Sequence, residues 1–266
     1  MDRKTFDRFR EIVYASSGIA LSDGKESLVS ARVGKRMRAL GMSDFDDYLQ
    51  RLQDDDSGEE TVQLLDAIST NVTSFFREPE HFEFVADVCA KWMKEGQRRF
   101  RFWSAASSSG EEPYSLSMTL HETFGSTVND WRILATDIST RVLIKAQEGI
   151  YKADTLKTVS REYRDKYFRL MRGEEPMYRV KEIVRSPVLF RRINLSLPPF
   201  SMKGPLDIVF CRNVMIYFDN DVRSRLLEEI SRLLKPGGYL LVGHAESLTG
   251  LMCNMKAVRP SIYVKP

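Results

Sequence analysis

A short apolar stretch that collapses into small residues and then opens a helix constrains this chain more than any other feature. Phe100, Phe102 and Trp103 form the apolar run. Ala105, Ala106, Ser107, Ser108, Ser109 and Gly110 follow, and Glu111, Glu112 and Pro113 stand where the first turn of a helix belongs. Strand, small-residue loop and helix N-terminus make the first crossover of a doubly wound α/β domain, a fold that binds ligands at the carboxyl ends of its strands. The loop is not GxGxxG. Serines stand where a pyrophosphate needs bare backbone, and two carboxylates at the helix entrance repel phosphate. The expected ligand is therefore nucleoside-like, free of phosphate and preferably cationic.

The 266 residues suit one large domain or two modest ones. Hydrophobic residues make up 42% of the chain, enough for a real core. With 40 basic and 37 acidic residues, nothing in the overall charge demands a nucleic acid. Cys89, Cys211 and Cys253 show no paired or CxxC spacing, so neither a disulfide nor a zinc framework is expected. There is no signal peptide and no apolar run near 18 residues, so a soluble, cytosolic protein without membrane insertion is expected. Nothing demands more than a monomer.

Residues 1–70 read as four helices, Thr5–Ser16, Ser27–Leu40, Phe45–Gln53 and Glu60–Thr70. In the second, Val29, Val33, Met37 and Leu40 fall within about 80° of one another at 100° per residue. Arg32, Lys35, Arg36 and Arg38 occupy its other side and edge. Such a face is either simply solvated or docks onto an acidic helical partner, where charge steers encounter and fixes register. The density of basic residues favours docking. Residues 71–79, NVTSFFREP, join the two parts. Phe75 and Phe76 are expected to pack against both, and Arg77 is placed to grip a carboxylate. A helix over His81–Lys94 leads to the first strand.

Strands and helices then alternate, which implies a mostly parallel sheet. The strands are read at Phe100–Ala105, Trp131–Thr136, Val188–Ile193, Leu206–Phe210 and Tyr239–Val242, with an antiparallel one at Ser261–Val264. Helices are read at Glu111–Thr123, Thr140–Glu148 and Asp219–Leu234, the last stopped by a turn at Lys235–Gly238. Asp137 ends the second strand, 25 positions after Glu112. It fits a helix N-cap, and by analogy with dinucleotide folds it fits a carboxylate that meets ribose hydroxyls. Residues 155–186 break the rhythm and look like an inserted β subdomain, with short strands at Met177–Val180 and Ile183–Arg185. His244 and Glu246 follow a strand and read as structural; His81 and His121 read as isolated residues on helix surfaces.

NVTSFFRE, RFWSAASSSGEEPYSL, ILATDIST, FCRNVMIYFD and LLKPGGYLLVGHAESL occur in this order. Together they resemble the chemotaxis receptor methyltransferases of the CheR type. The resemblance covers nearly the whole chain, including MRALGMSDFDDYL. Ser107–Ser109 and Val72 depart from the usual residues without removing a functional group. The resemblance implies a doubly wound, mostly parallel S-adenosylmethionine-dependent methyltransferase sheet with a small inserted β subdomain, preceded by an all-α domain. It implies a helical receptor-docking domain over 1–70, a linker over 71–82 that contributes to the active site, and a methyltransferase domain over 83–266.

The implied activity is methyl transfer from S-adenosylmethionine to glutamate side chains on the cytoplasmic helices of chemoreceptors, leaving S-adenosylhomocysteine. Carried over position by position, Asn71, Thr73, Arg77, Glu112 and Asp137 belong to the cofactor site, as do Asn194, Leu195, Arg212 and Asn213. Arg77 and Tyr217 border the reacting methyl. Glu112 is expected at the cationic or amino end of the cofactor and Asp137 at the ribose, while Asn213 suits adenine or the methionine tail. A glutamate carboxylate, with an unperturbed pKa of about 4.3, is ionised at neutral pH, so no general base and no metal are needed. Some relatives bind a receptor C-terminal peptide through the inserted subdomain. Gly173–Pro176 is less glycine-rich than that use implies, and no tether is expected. A different class of function, a catalytically silent adaptor of the same shape, requires loss of cofactor residues. A nucleic-acid methyltransferase requires a broad basic, aromatic surface.

Overall fold

The computed structural model describes residues 1–69, 71–248, 250–251 and 254–266. Thr70, the expected end of the fourth helix, and Cys253 lie outside the described residues. The first four helices are α1 (Arg3–Ser17), α2 (Glu26–Ala39), α3 (Phe45–Gln53) and α4 (Glu59–Ile68). Their apolar stripes meet in one core, with Phe6, Phe9 and Val13 against Val29, Val33, Met37, Tyr48 and Leu64. Asp2 and Asp44 cap α1 and α3 by accepting from first-turn amides. Gly18 ends α1 at φ 70°, and a Cβ there would lie 2.4 Å from Ser196 Cβ. Only glycine permits that approach of the helical part to the sheet part.

The four basic residues of α2 do not share one free face. Arg36 donates to Glu60 from Nε at 2.9 Å and from Nη2 at 2.7 Å, and Tyr48 Oη donates to the same carboxylate at 2.7 Å. Arg32 donates to the Ile68 carbonyl at the end of α4. Of the four residues expected to dock, Lys35 and Arg38 are exposed, while Arg32 and Arg36 are half-buried. The other two guanidiniums brace α2 against α4, because Glu60 is buried and α4 leaves a carbonyl at its C-terminus.

The second part runs α5 (Glu80–Lys94), β1 (Arg99–Ala105), α6 (Glu111–Phe124), β2 (Asp130–Asp137) and α7 (Thr140–Glu148). It continues with β3 (Ile150–Lys152), α8 (Arg161–Tyr167), β4 (Phe168–Met171), β5 (Met177–Val180), α9 (Glu182–Arg185) and β6 (Val188–Arg192). It ends with β7 (Leu206–Cys211), α10 (Asn220–Leu233), β8 (Leu234–Val242), β9 (Lys256–Arg259) and β10 (Ile262–Val264). The large sheet has the order β6-β2-β1-β7-β8-β10-β9. Its first five strands are parallel, and β10 is antiparallel to both neighbours. Side chains alternate between two cores. Phe100, Phe102, Ile208 and Phe210 face α5 and α6, while Trp103, Val209 and Leu240 face α10. The strand order reverses between β1 and β7, where a ligand crevice is expected. Ala105 pairs with both Thr136 and Cys211, so three strands end level at its edge.

Several boundaries differ from the sequence reading. Ile183–Arg185 lies in the single helical turn α9, where Val184 is buried and its carbonyl accepts from Ser117 Oγ at 2.8 Å. Docking onto α6 outweighs the β-branched composition there. The small antiparallel sheet β3-β5-β4 starts at Ile150, earlier than expected. Lys235–Gly238, expected as a stop and turn, bulges within β8. Leu234 pairs with Leu206 and pairing resumes at Tyr239 with Ile208, while Lys265 bonds to both Gly237 and Gly238. The fully exposed β9 carries no alternation that could announce it. Phe75 and Phe76 pack on the inserted subdomain and its neighbours, edge-on to Tyr151 and Phe168 and to Phe82 and Tyr163. They are not part of the N-terminal core.

Glu60→Ala removes the acceptor shared by Arg36 and Tyr48. Breaking a fully buried charge pair costs roughly 3–5 kcal/mol, and the partial exposure of Arg36 reduces this to about 2 kcal/mol. Urea denaturation of the purified variant measures that loss.

Candidate functional site

The level ends of β1, β2 and β7 form the floor of a cleft, and the helical part forms its roof. The linker contributes Asn71, Thr73 and Arg77, α6 contributes Glu112, and β2 contributes Asp137. The loop after β6 brings Asn194 and Leu195, and the loop after β7 brings Arg212, Asn213 and Tyr217. These ten side chains, scattered over more than half the sequence, meet in one space. Arg32 also lines it, whereas Lys35, Arg36 and Arg38 do not.

The small-residue loop holds an unusual backbone path. Ala106 and Ser108 have φ of 63° and 49°, a region costly for side chains with a Cβ. Ser107 N–H donates to the Thr136 carbonyl at 2.7 Å, and Ser108 N–H to Asp137 Oδ2 at 2.9 Å. Gly110 sits at φ 96°, where a Cβ would lie 2.9 Å from both Ala146 Cβ and Tyr151 Oη. The small residues are thus required by close packing as well as by the ligand space. Asp137 Oδ1 accepts from Ser139 N–H at 2.9 Å. Burial pushes the Asp137 carboxyl up, against these backbone hydrogen bonds. The side-chain cap of α7 is Ser139, which resolves the two readings of Asp137 against the N-cap.

Glu112 is held from two sides. Ser104 Oγ donates to Oε1 at 2.7 Å and Arg212 Nη1 to Oε2 at 3.0 Å. Burial raises the Glu112 carboxyl above its usual range, with Arg212 opposing. The Arg212 side chain is 1% exposed; it pairs with Glu78 at 2.9 Å and donates to the Arg77 carbonyl. Burial also disfavours the Glu78 charge, but Arg212 outweighs it and holds that carboxyl low. Arg212, expected as a cofactor contact, lines the cleft and through these pairings also positions Glu112. Arg77 itself donates from Nη1 to the Val72 carbonyl at 3.0 Å.

Asn194 joins the two parts. Its Nδ2 donates to the Ser16 carbonyl at 2.8 Å, and its Oδ1 accepts from Ser196 N–H and Oγ. Tyr217 sits under the roof: Ala20 N–H donates to its carbonyl at 2.8 Å, and Lys25 Nζ lies 5.9 Å from its ring centre. Asn71 Nδ2 and Ser108 Oγ are buried with no hydrogen-bond partner among the described residues. Leaving such groups unpaired costs roughly 1–3 kcal/mol each, so this cleft is built for a polar ligand.

One residue was missed as a determinant of the site. Glu246 is buried, and its carboxylate accepts from the backbone N–H groups of Asn213, Val214 and Ile216 at 2.7, 2.9 and 3.3 Å, and from Gly243 at 2.7 Å. It shapes the loop that carries Asn213 (φ 57°) and Tyr217. An acid just past a strand end was the available signal. His81, expected on a helix surface, is fully buried against the sheet because its Nε2 meets Ser261 Oγ at 2.9 Å.

Comparison with known proteins adds two family matches. Residues 4–69 match the all-alpha domain of CheR methyltransferase, and residues 71–264 match the CheR methyltransferase SAM binding domain. The chain is 40% identical over 249 residues to a chemotaxis protein methyltransferase of Escherichia coli (strain K12), covering 92% of this chain and 85% of that protein. It is 39% identical over 261 residues to a chemotaxis protein methyltransferase of Salmonella typhimurium, covering 97% and 88%. A chemotaxis protein methyltransferase of Borreliella burgdorferi is 36% identical over 265 residues, covering 97% and 93%.

Glu246→Gln keeps the size of the side chain but sets an amide donor against backbone donors. Calorimetry should show S-adenosylhomocysteine affinity falling about tenfold or more, the scale of one or two lost charge-assisted hydrogen bonds, with the circular dichroism spectrum unchanged.

Proposed function

The chain belongs to the CheR methyltransferase family, and from that premise we propose that it methylates glutamate side chains on the helical cytoplasmic domain of chemoreceptors. S-adenosylmethionine is the methyl donor, and the products are a glutamyl methyl ester and S-adenosylhomocysteine. The observation that carries this reading is the meeting of Arg77, Glu112, Asp137 and Tyr217 in one cleft. None of the ten residues drawn from the resemblance is missing, which speaks against a silent adaptor. No described helix is long and apolar enough to cross a membrane, and the reading places a monomer in the cytoplasm, where the receptor helices are.

When bound, S-adenosylmethionine supplies a methyl made electrophilic by its positive sulfur. Glu112, braced by Ser104 and Arg212, takes the amino end of the cofactor, where a positive charge favours the ionised carboxylate. Asp137 takes the ribose hydroxyls. Asn71 and Ser108 offer the unpaired polar atoms that a ligand satisfies. Arg77 presents a planar guanidinium that orients the incoming glutamate carboxylate, with the Tyr217 hydroxyl beside it. Because that carboxylate is already ionised, no residue needs to remove a proton. The protein's contribution is alignment for in-line displacement and exclusion of water. Residues 1–70 act as the docking domain in this reading, 71–82 as the linker that brings Arg77, and 83–266 as the methyltransferase domain. Lys35 and Arg38 supply the exposed charge that meets an acidic receptor helix.

The direct test incubates the protein with methyl-labelled S-adenosylmethionine and a purified receptor cytoplasmic fragment. Label on the fragment should be released as methanol by mild base, the behaviour of an ester. Base-stable label, or efficient labelling of RNA instead, would contradict the reading. Arg77→Ala should keep S-adenosylhomocysteine affinity within a few-fold and lower turnover about 100-fold, the scale of lost alignment. The double variant Lys35→Glu, Arg38→Glu should bind S-adenosylhomocysteine normally and lose receptor methylation, most strongly at low salt.

A further inference from the structure

Behind the cofactor cleft, outside its lining, the start of α5 meets the loop after β8. His81 Nδ1, Glu78 Oε2 and His244 Nε2 all lie within 4.8 Å of one another there. Glu78 Oε2 is 3.5 Å from His81 Nδ1 and 3.9 Å from His244 Nε2. A tetrahedral zinc ion with ligands at about 2.0–2.2 Å needs ligand atoms about 3.3–3.6 Å apart, and these two separations are close to that spacing.

His81 Nε2 meets Ser261 Oγ at 2.9 Å, and that hydroxyl also lies 2.7 Å from the Pro260 carbonyl. This leaves His81 Nδ1 as the ring nitrogen that faces the cluster. It is fully buried, has no hydrogen-bond partner among the described residues, and faces a carboxylate oxygen. A metal ion between His81 Nδ1 and Glu78 Oε2 would satisfy both buried atoms. A neutral imidazole with its outer N–H held by an oxygen is the form in which histidine binds a metal.

We infer that Glu78, His81 and His244 form a site for one divalent transition-metal ion of the zinc class, a staple between α5 and the loop after β8. Arg212, already 2.9 Å from Glu78 Oε2, becomes the outer donor that orients the ligand carboxylate. Its positive charge is offset by Glu78 and by Glu80. Glu80 Oε1 lies 2.5 Å from His244 Nε2 and, being half exposed, is free to swing back and take the fourth position. The exposed side of His244 gives the ion an entry path. The ion takes no part in methyl transfer; by holding Glu78 it fixes Arg212 and hence Glu112.

The test uses tag-free protein stripped with a chelator and titrated with Zn²⁺ by calorimetry, with Co²⁺ absorption as the spectroscopic probe. One equivalent should bind at micromolar strength or better and give a tetrahedral cobalt spectrum. His244→Ala, a change at an exposed side chain, should weaken binding at least tenfold. His121→Ala, at the remaining histidine, should leave it unchanged. Failure of the folded wild-type protein to take up zinc, or undiminished uptake by His244→Ala, would overturn the assignment. The measurement is made without cofactor, so its failure would leave the methyl-transfer reading untouched.

Discussion

Arg212 is the interaction on which the site depends. A guanidinium cannot shed its proton to escape burial, so a fully buried one must be surrounded by acceptors. The protein supplies Glu78 from the linker, Glu112 from α6 and the Arg77 carbonyl. One charge thereby ties together the linker, α6 and the loop after β7, three of the segments that line the cleft. The same pairing opposes the burial that pushes the Glu112 carboxyl up. Compensation of one buried charge has become the means of placing another.

The helical part and the sheet part share the cleft instead of merely adjoining it. Gly18 lets α1 press against Ser196, Asn194 reaches the Ser16 carbonyl, and Ile19 pairs with Phe218. Tyr14 Oη donates to Asp219, the cap of α10. Tyr217 lies within this seam. A partner that docks on α2 is therefore in mechanical contact with the roof of the ligand space, since Arg32 of the same helix lines the cleft.

Much of this was legible in the sequence, for identifiable reasons. The helix stripes and parallel strands carry periodicities that packing enforces, so α1 to α4 and β1, β2, β6 and β7 fall close to the expected ranges. The small-residue loop announced the strand-to-helix crossover because bulky side chains cannot fit there. What stayed hidden depended on partners distant in the chain. Arg36 looks like any surface cation until Glu60 folds beneath it. Arg212 shows no sign of its structural role until Glu78 and Glu112 close around it. Glu246 gives only a weak signal, an acid just past a strand end, because its partners are backbone amides that every residue has. The strands β4 and β9 are mostly exposed and β3 spans only three residues, so no apolar alternation marks them.

The central claim is that the cleft at the ends of β1, β2 and β7 is a cofactor site organised by Glu112 and Asp137. Calorimetric titration of the purified protein with S-adenosylhomocysteine tests it most directly. The account predicts a single site at micromolar strength or better in the wild type, with binding largely lost in Asp137→Ala. A folded wild-type protein that does not bind, or an Asp137→Ala variant that binds as well as the wild type, would contradict it.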